Sequence, residues 1–185
     1  MKIKICGLKR ECDIDYVNEA LPDYAGFIFA ESKRKVSADQ AFALKRGLSS
    51  SIKAVGVFVN HEISFIQDLL KREVIEIVQL HGNEDEEYIS AVNAPVIKAV
   101  RLGERFDYPV DYLLFDSPSA GSGKTFDWDL IPKTEKPFFL AGGINIGNIA
   151  EAMKFNPYAI DVSSGVETDG FKDREKILEI VNKIK

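Results

Sequence analysis

The sequence predicts a (β/α)8 TIM barrel formed by one domain over residues 1–185, and three observations support this prediction. Apolar segments that read as strands occur eight times along the chain, and segments with helical periodicity lie between them. Strands that alternate with helices form a parallel sheet, and eight such units favour a closed barrel over an open doubly wound sheet, the alternative architecture. The third observation is a pair of glycine-bearing loops near the C-terminus, where such barrels form a phosphate site after their seventh and eighth strands.

Each predicted strand is an apolar segment of four to six residues. The connections Leu102–Pro109 and Phe126–Ile131, which follow strands five and six, are too short for full crossover helices, so we expect a thin outer layer there. The predicted strands are, in order, Ile3–Cys6, Ala25–Phe29, Ala54–Val59, Ile75–Leu80, Val96–Val100, Tyr112–Phe115, Phe138–Ala141 and Ala159–Val162. The predicted helices include Ala38–Leu48, Ile63–Lys71, Asp85–Val92, Ile146–Phe155 and Asp173–Ile184.

Alternation along the first and last strands places polar side chains inside the barrel. Lys4 and Cys6 share one face of strand one, whereas Ile3 and Ile5 should face the helices. Asp161 lies between two apolar residues of strand eight and should also point inward. Because strands one and eight are neighbours in a closed barrel, we expect a Lys4–Asp161 ion pair with a structural rather than a catalytic role. Asp161 is also an expected substrate-binding residue.

Two reactive side chains stand at the carboxyl ends of predicted strands, where β/α barrels hold their active sites. Cys6 would point into the barrel mouth, although a lone cysteine is commonly just a small buried apolar residue. Asp116 follows an apolar strand as a candidate proton donor; the alternative is a turn or N-cap role, because Ser117-Pro118 comes next. Lys4 should lower the pKa of the Cys6 thiol if Asp161 does not fully neutralise the Lys4 charge.

The two glycine-bearing loops predict an anion site. Leu140–Asn145 and Asp161–Glu167 each read as an apolar strand that runs into a loop and then a helix. Glycine lets backbone N–H groups approach an anion closely, and the start of a helix supplies unpaired N–H donors. We therefore predict a phosphate cup built from Gly142, Gly143, Ser163, Ser164 and Gly165.

A third glycine-rich segment, Gly121–Thr125, looks like the end of a nucleotide-binding P-loop. The first glycine of that motif would fall on Pro118, and Pro132 leaves no room for the helix that should follow. We predict instead a flexible loop over the active site, in which Gly121 and Gly123 contact the substrate, with a nucleotide-binding enzyme as the alternative.

Composition limits the binding partners and the cellular location that we expect for the protein. A net charge of −5 and a pI near 5.2 give no basic face for nucleic acid, and the run Lys33-Arg34-Lys35 is too short to change this. The longest apolar runs are strand-sized, so we expect a cytoplasmic protein without a signal peptide or a membrane span. Cys6 and Cys12 do not have the Cys-x-x-Cys spacing of a zinc site, and the other His and Cys ligands of such a site are missing. We therefore expect two free thiols and no metal.

Seven motifs, in order, resemble the phosphoribosylanthranilate isomerases of tryptophan biosynthesis, and the resemblance spans nearly the whole chain. Two departures are Lys9, where the family usually has threonine, and a short loop between Asp116 and Gly121. The motifs are Lys4–Gly7, Ser32–Arg34, Val55–Asn60, Val78–Gly82, Gly121–Trp128, Gly142–Gly143 and Asp161–Glu167.

The resemblance implies an Amadori rearrangement of N-(5-phosphoribosyl)anthranilate to 1-(2-carboxyphenylamino)-1-deoxyribulose 5-phosphate, with no cofactor. It implies that Asp116 is the general acid and Cys6 the general base. It also implies that Arg34 binds the anthranilate carboxylate, instead of being one charge of a solvated basic run. His81 shares a strand face with Gln79, and we expect both near the mouth as binding or supporting groups, with His81 as the alternative base. The expected partner is a small phosphosugar, and the expected assembly is a monomer or a homodimer.

Two other functions stay open from the sequence alone. Another phosphosugar barrel, such as the isomerase of histidine biosynthesis, would share the phosphate cup, but it resembles this chain less because its strand-one residue is aspartate instead of Cys6. A sensor or a subunit without activity is the alternative outside enzymes, and the presence of Cys6, Asp116 and Arg34 argues against it.

Overall fold

The computed structural model describes residues 1–101, 103–117 and 125–185. Eight parallel strands form a closed barrel in which each strand pairs with the next and the last pairs with the first, so the predicted barrel is confirmed and the open sheet is wrong. The strands are β1 (Lys2–Cys6), β2 (Tyr24–Ile28), β3 (Lys53–Phe58), β4 (Ile77–Leu80), β5 (Val96–Val100), β6 (Tyr112–Phe115), β7 (Phe138–Leu140) and β8 (Ala159–Val162).

Helices surround the barrel, and a short hairpin follows its last strand. α5 begins three residues later than predicted, because the side chain of Asn148 accepts a hydrogen bond from the Asn145 N–H (2.8 Å) and closes a turn first. The helices are α1 (Glu11–Ala20), α2 (Ala38–Gly47), α3 (Ile63–Lys71), α4 (Glu86–Ser90), α5 (Ile149–Lys154) and α6 (Arg174–Ile184). The hairpin consists of β9 (Glu167–Thr168) and β10 (Phe171–Lys172), and single 3-10 turns lie at Trp128–Leu130 and Ser164–Val166.

The outer layer is thin on one side, as the short connections predicted. Within the described residues, no helix joins β5 to β6, and only the turn at Trp128–Leu130 lies between β6 and β7. None of the helices in the described ranges is long and apolar enough to cross a membrane.

Two apolar layers hold the barrel together. Tyr24, Ile97 and Phe139 belong to a cluster that fills the barrel interior, whereas Ile3 and Ile5 belong to the larger cluster between the strands and the helices. Full burial of an isoleucine side chain contributes about 1.5–3 kcal/mol. The alternation predicted for strand one is therefore confirmed, and it leaves the other face of β1 for polar side chains.

An ion pair crosses the contact between β1 and β8. Lys4 and Asp161 are opposite each other in the strand register, and Lys4 Nζ donates to Asp161 Oδ2 over 2.9 Å. The Lys4 side chain is fully buried, and removal of its partner would leave an uncompensated charge in the barrel. The predicted pair is confirmed. It joins β1 to β8 next to Cys6, which lies on the same face of β1 as Lys4.

Candidate active site

One cavity opens at the carboxyl ends of the strands and brings together most of the predicted site residues. Cys6 from β1, Arg34 from the loop after β2, His81 after β4 and Asp116 after β6 all line it, although they are far apart in the sequence. Further lining residues include Gln79, Gly142, Gly143, Asp161, Ser163 and Ser164. The predicted contacts Gly121 and Gly123 lie outside the described residues.

The Cys6 thiol occupies space that a glycine on the neighbouring strand provides. Gly26 pairs with Cys6 in the register of β1 and β2, and a Cβ atom on Gly26 would lie 2.7 Å from Cys6 Sγ. Any other residue at position 26 would displace the thiol. Sequence reasoning missed Gly26, yet a glycine inside an apolar strand is itself a signal of close approach.

Burial dominates the acidity of Cys6. The side chain is enclosed, and desolvation of the thiolate raises the pKa of the Cys6 thiol above its ordinary value. The charges of Lys4 and Lys172 oppose this effect, and the charge of Asp161 adds to it. The expectation that Lys4 would lower the thiol pKa is therefore confirmed for the Lys4 contribution, but burial outweighs this contribution and the net pKa is raised.

Asp116 is held by two neighbours. Its Oδ1 accepts a hydrogen bond from the Ser117 N–H over 2.7 Å, and its Oδ2 lies 3.3 Å from His81 Nε2. The bond to Ser117 is the local turn contact proposed as the alternative role of Asp116, but the other oxygen still faces the cavity group His81. A turn role and a chemical role are therefore compatible at this residue.

His81 is oriented from its other ring nitrogen. Gln79 Nε2 lies 3.2 Å from His81 Nδ1, and the Gln79 side chain is buried at the cavity floor. A histidine whose two ring nitrogens are both engaged keeps a fixed ring orientation. The geometry supports the predicted supporting role of His81, next to Asp116.

Arg34 is engaged by a residue that follows β8. Its Nε and Nη2 donate to the two carboxylate oxygens of Glu167 over 2.6 and 2.8 Å. The stem of Arg34 lies over Gly7, where a Cβ atom would approach Arg34 Cδ to 2.5 Å. Arg34 is thus not a charge of a solvated run. Sequence reasoning missed its partner, because only the folded hairpin brings Glu167 to it.

Lys9 also contacts the loop that carries Arg34. Lys9 Nζ donates to the backbone oxygen of Lys33 over 3.0 Å and lies 5.0 Å from the centre of the Phe171 ring. The residue that departs from the family pattern therefore joins the β9–β10 hairpin to the loop after β2.

The predicted phosphate cup has open backbone donors. Gly142 and Gly143 have φ angles of +85° and +65°, which non-glycine residues rarely adopt. Within the described residues, the N–H groups of Gly142, Gly143 and Ile144 make no hydrogen bond. The second loop differs from the prediction, because β8 leads into one 3-10 turn at Ser164–Val166 instead of a helix.

The two loops of the cup touch at Gly165. A Cβ atom on Gly165 would overlap the backbone oxygen of Ile144 and lie 2.9 Å from the Cα atom of Asn145. Gly165 is therefore a spacer between the loops.

Gly165→Ala is expected to raise KM about tenfold, because separation of the loops would cost about one charge-assisted hydrogen bond to an anion, or about 1.5 kcal/mol. The check is steady-state kinetics, with Gly47→Ala as the control. Gly47 lies at the end of α2, where a Cβ atom would make only an ordinary 3.5 Å contact. Equal KM values for the two variants would contradict the spacer role.

Comparisons with known proteins agree over nearly the whole chain. The family described as N-(5'phosphoribosyl)anthranilate (PRA) isomerase matches residues 3–183. A relative named N-(5'-phosphoribosyl)anthranilate isomerase from Endomicrobium trichonymphae is 52% identical, and the match covers 97% of this chain and 96% of the relative. The crystal structure of phosphoribosyl anthranilate isomerase from Thermus thermophilus superposes with a TM-score of 0.91 at 32% identity, covering 100% of this chain and 98% of that chain. A structure of such an isomerase in complex with reduced 1-(o-carboxyphenylamino)-1-deoxyribulose 5-phosphate superposes with a TM-score of 0.81 at 30% identity, covering 98% of this chain and 97% of that chain.

Proposed function

The chain belongs to the family of N-(5'-phosphoribosyl)anthranilate isomerases, and from this premise we propose how its residues divide the reaction. The protein is an isomerase of tryptophan biosynthesis that converts the phosphoribosyl-amine into the ketose by an Amadori rearrangement. The observation that carries the residue assignment is the single cavity lined by Cys6, Asp116 and Arg34 next to the two glycine loops. This cavity offers an acid, a base and two anion sites, which are the groups that a phosphosugar bearing a carboxylate requires.

Asp116 is the general acid in this proposal. Its proton passes to the ring oxygen of the ribose, the bond from C1 to that oxygen breaks, and the lone pair of the amine nitrogen forms a protonated Schiff base. The contacts with Ser117 and His81 fix the carboxyl group before this transfer. Ring opening leaves a hydroxyl group on the sugar and a carboxylate on Asp116.

Cys6 is the general base. Its thiolate removes the proton from C2, the electrons of that C–H bond form a C1–C2 double bond, and the iminium nitrogen takes up the electron pair. The resulting enolamine tautomerises to the ketone. Because the substrate's own nitrogen is the electron sink, the residues need only to move protons and hold charges.

Asp161 contributes a hydrogen-bond acceptor for the sugar. Its Oδ2 is bound to Lys4, whereas its Oδ1 is buried and has no partner among the described residues. A buried acceptor without a partner costs about 1–3 kcal/mol. A hydroxyl group of the bound sugar would satisfy Oδ1, which supports the assignment of Asp161 to substrate binding.

The two ends of the substrate occupy opposite sides of the cavity. The phosphate binds the open N–H groups of Gly142 and Gly143, with Ser163, Ser164 and Gly165 in the facing loop. The carboxylate of the anthranilate ring binds Arg34, since a guanidinium group forms paired hydrogen bonds with a carboxylate. The location in the cytoplasm and the assembly as a monomer or a homodimer stay predictions.

A turnover assay of the purified protein tests the function. The fluorescence of the anthranilate ring follows the loss of N-(5'-phosphoribosyl)anthranilate, whose rate should be proportional to enzyme concentration, and chromatography should show that the ketose appears as the substrate disappears. An isomerase has product of the same mass, so the chromatographic separation is required. Binding of the substrate without conversion would contradict the enzymatic role and favour a sensor.

Arg34→Ala is expected to raise KM more than it lowers kcat, because Arg34 holds the carboxylate in the ground state and the transition state alike. A lost charge-assisted pair is worth about 1.5–3 kcal/mol, which is roughly a ten- to hundredfold increase in KM. Arg34→Lys keeps the charge without the planar fork, so its KM should lie between those of the wild type and the Arg34→Ala variant. Arg46→Ala, at an exposed position of α2, is the control. A large loss of kcat at constant KM would remove Arg34 from the binding role.

A further inference from the structure

The β9–β10 hairpin places a buried lysine between the two anion sites. Lys172 is opposite Glu167 in the hairpin register, and its Nζ donates to Glu167 Oε1 over 2.7 Å. The same ammonium group donates to the backbone oxygen of Ser163, in the loop of the phosphate cup, over 2.8 Å. Only 1% of the Lys172 side chain is exposed, so this group cannot be a solvated surface charge.

Glu167 occupies one edge of the Arg34 guanidinium group and leaves another edge for a ligand. The contacts with Glu167 use Nε and Nη2 of Arg34, and Nη1 has no hydrogen-bond partner among the described residues. A guanidinium group has five N–H donors in a plane, so two carboxylates can bind it at different edges. Arg34 also lines the cavity. A fixed Glu167 therefore fixes the direction of the remaining edge.

The charges of this cluster suit a substrate carboxylate. The hydrogen bond from Arg34 and the charge of Lys172 overcome the effect of burial and lower the pKa of Glu167 to about 2, so it is an anion at any pH used for an assay. Arg34, Lys172 and Glu167 together carry one net positive charge at this side of the cavity. A monovalent carboxylate is thus matched in charge as well as in geometry.

We propose that Glu167 and Lys172 are positioning residues: Glu167 orients Arg34 for the carboxylate of the substrate, and Lys172 anchors Glu167 to the phosphate cup. This inference rests on the proposed function, because it takes Arg34 as the carboxylate ligand. The chain from Ser163 through Lys172 and Glu167 to Arg34 sets the distance between the two anion sites. The enzyme would thereby select a substrate that carries a phosphate and a carboxylate at a fixed separation.

Two inhibitors that differ only in the carboxylate test the proposal. The first is reduced 1-(o-carboxyphenylamino)-1-deoxyribulose 5-phosphate, and the second is the same compound with an unsubstituted phenyl ring. Glu167→Gln should weaken binding of the first inhibitor about tenfold, because the amide cannot accept from both Arg34 donors. It should change the affinity for the second inhibitor less than twofold. In parallel, KM for the substrate should rise more than kcat falls. Isothermal titration calorimetry gives both affinities, and circular dichroism checks folding.

Glu151→Gln is the matched control, since Glu151 forms an ion pair with Lys154 on the exposed surface of α5. Glu167→Asp keeps the charge and should retain part of the preference for the inhibitor with the carboxylate. This variant replaces Glu167→Gln in the experiment if Glu167→Gln does not fold. Equal weakening of both inhibitors would overturn the proposal in favour of a purely structural hairpin. Tighter binding of the carboxylate inhibitor would also overturn it, because Glu167 would then compete for Arg34. If the wild type binds both inhibitors equally, the carboxylate role of Arg34 fails and this inference fails with it, although turnover can persist.

Discussion

Replacement of Cys6 by alanine or serine is expected to reduce turnover by roughly 10²–10⁴-fold while the barrel stays folded. Serine is nearly the same size as cysteine and fits the space that Gly26 leaves, but its hydroxyl group is a far weaker acid than a thiol. A residue that only packs would give active variants in both cases, because the cavity left by alanine is small. Turnover and circular dichroism on the same samples separate the two roles.

Cys12→Ser is the control for this prediction, since Cys12 lies on α1 and is not among the residues that line the cavity. A thiol-alkylating reagent should inactivate the wild type and the Cys12→Ser variant alike, and saturating product should slow the reaction in both. In the proposed mechanism the thiolate is the active form, and burial raises the pKa of the Cys6 thiol, so kcat/KM should increase with pH through and above the ordinary value of about 8.5. A well-folded and active Cys6→Ala variant would direct the assignment of the base to His81.

Asp116→Asn is expected to lower kcat by at least about 10²-fold, because the amide has no dissociable proton for the ring oxygen. The change keeps the shape of the side chain and an acceptor for the Ser117 N–H, so the turn at the end of β6 should survive. Steady-state kinetics should show a fall in kcat with a smaller change in KM, since a general acid acts mainly in the transition state.

The control for Asp116 is Asp68→Asn, at an exposed position of α3 where the carboxylate pairs with Arg72, the residue that follows the helix. Its kinetics should match the wild type. Activity of Asp116→Asn within a few-fold of the wild type would exclude Asp116 as the acid and move attention to His81, the titratable group 3.3 Å away.

Periodicity predicted the parts of the molecule that repeat a local pattern. Alternation along strand one was sufficient to place Lys4 and Cys6 inside the barrel, and closure of the barrel then placed Asp161 opposite Lys4. The position of a side chain on a strand follows from its neighbours two residues away, which the sequence displays. Residues at strand ends were predictable for the same reason.

Contacts across loops were not predictable, because their partners are set by the folded hairpin and not by spacing. Glu167 was visible as the end of a motif, but nothing local indicated that it would bind Arg34, 133 positions earlier. No pattern in the sequence indicated a role for Lys172. The net pKa direction of Cys6 also escaped prediction, since it depends on how completely the surrounding elements exclude water and on how far Lys4 offsets that burial.

The pairing of β1 with β8 has a consequence for biosynthesis of the protein. Lys4 and Asp161 are 157 positions apart, so at about 5–20 residues per second a ribosome needs roughly 8–30 s to supply the second partner after the first. During that interval the edge of β1 has no neighbour on one side, and an unpaired strand edge is prone to association with other chains. Cys6, the proposed base, is thus among the first residues made, whereas the groups that complete its surroundings are among the last. A nascent chain that stops before β8 therefore carries Cys6 without an enclosed site and leaves this edge of β1 unpaired.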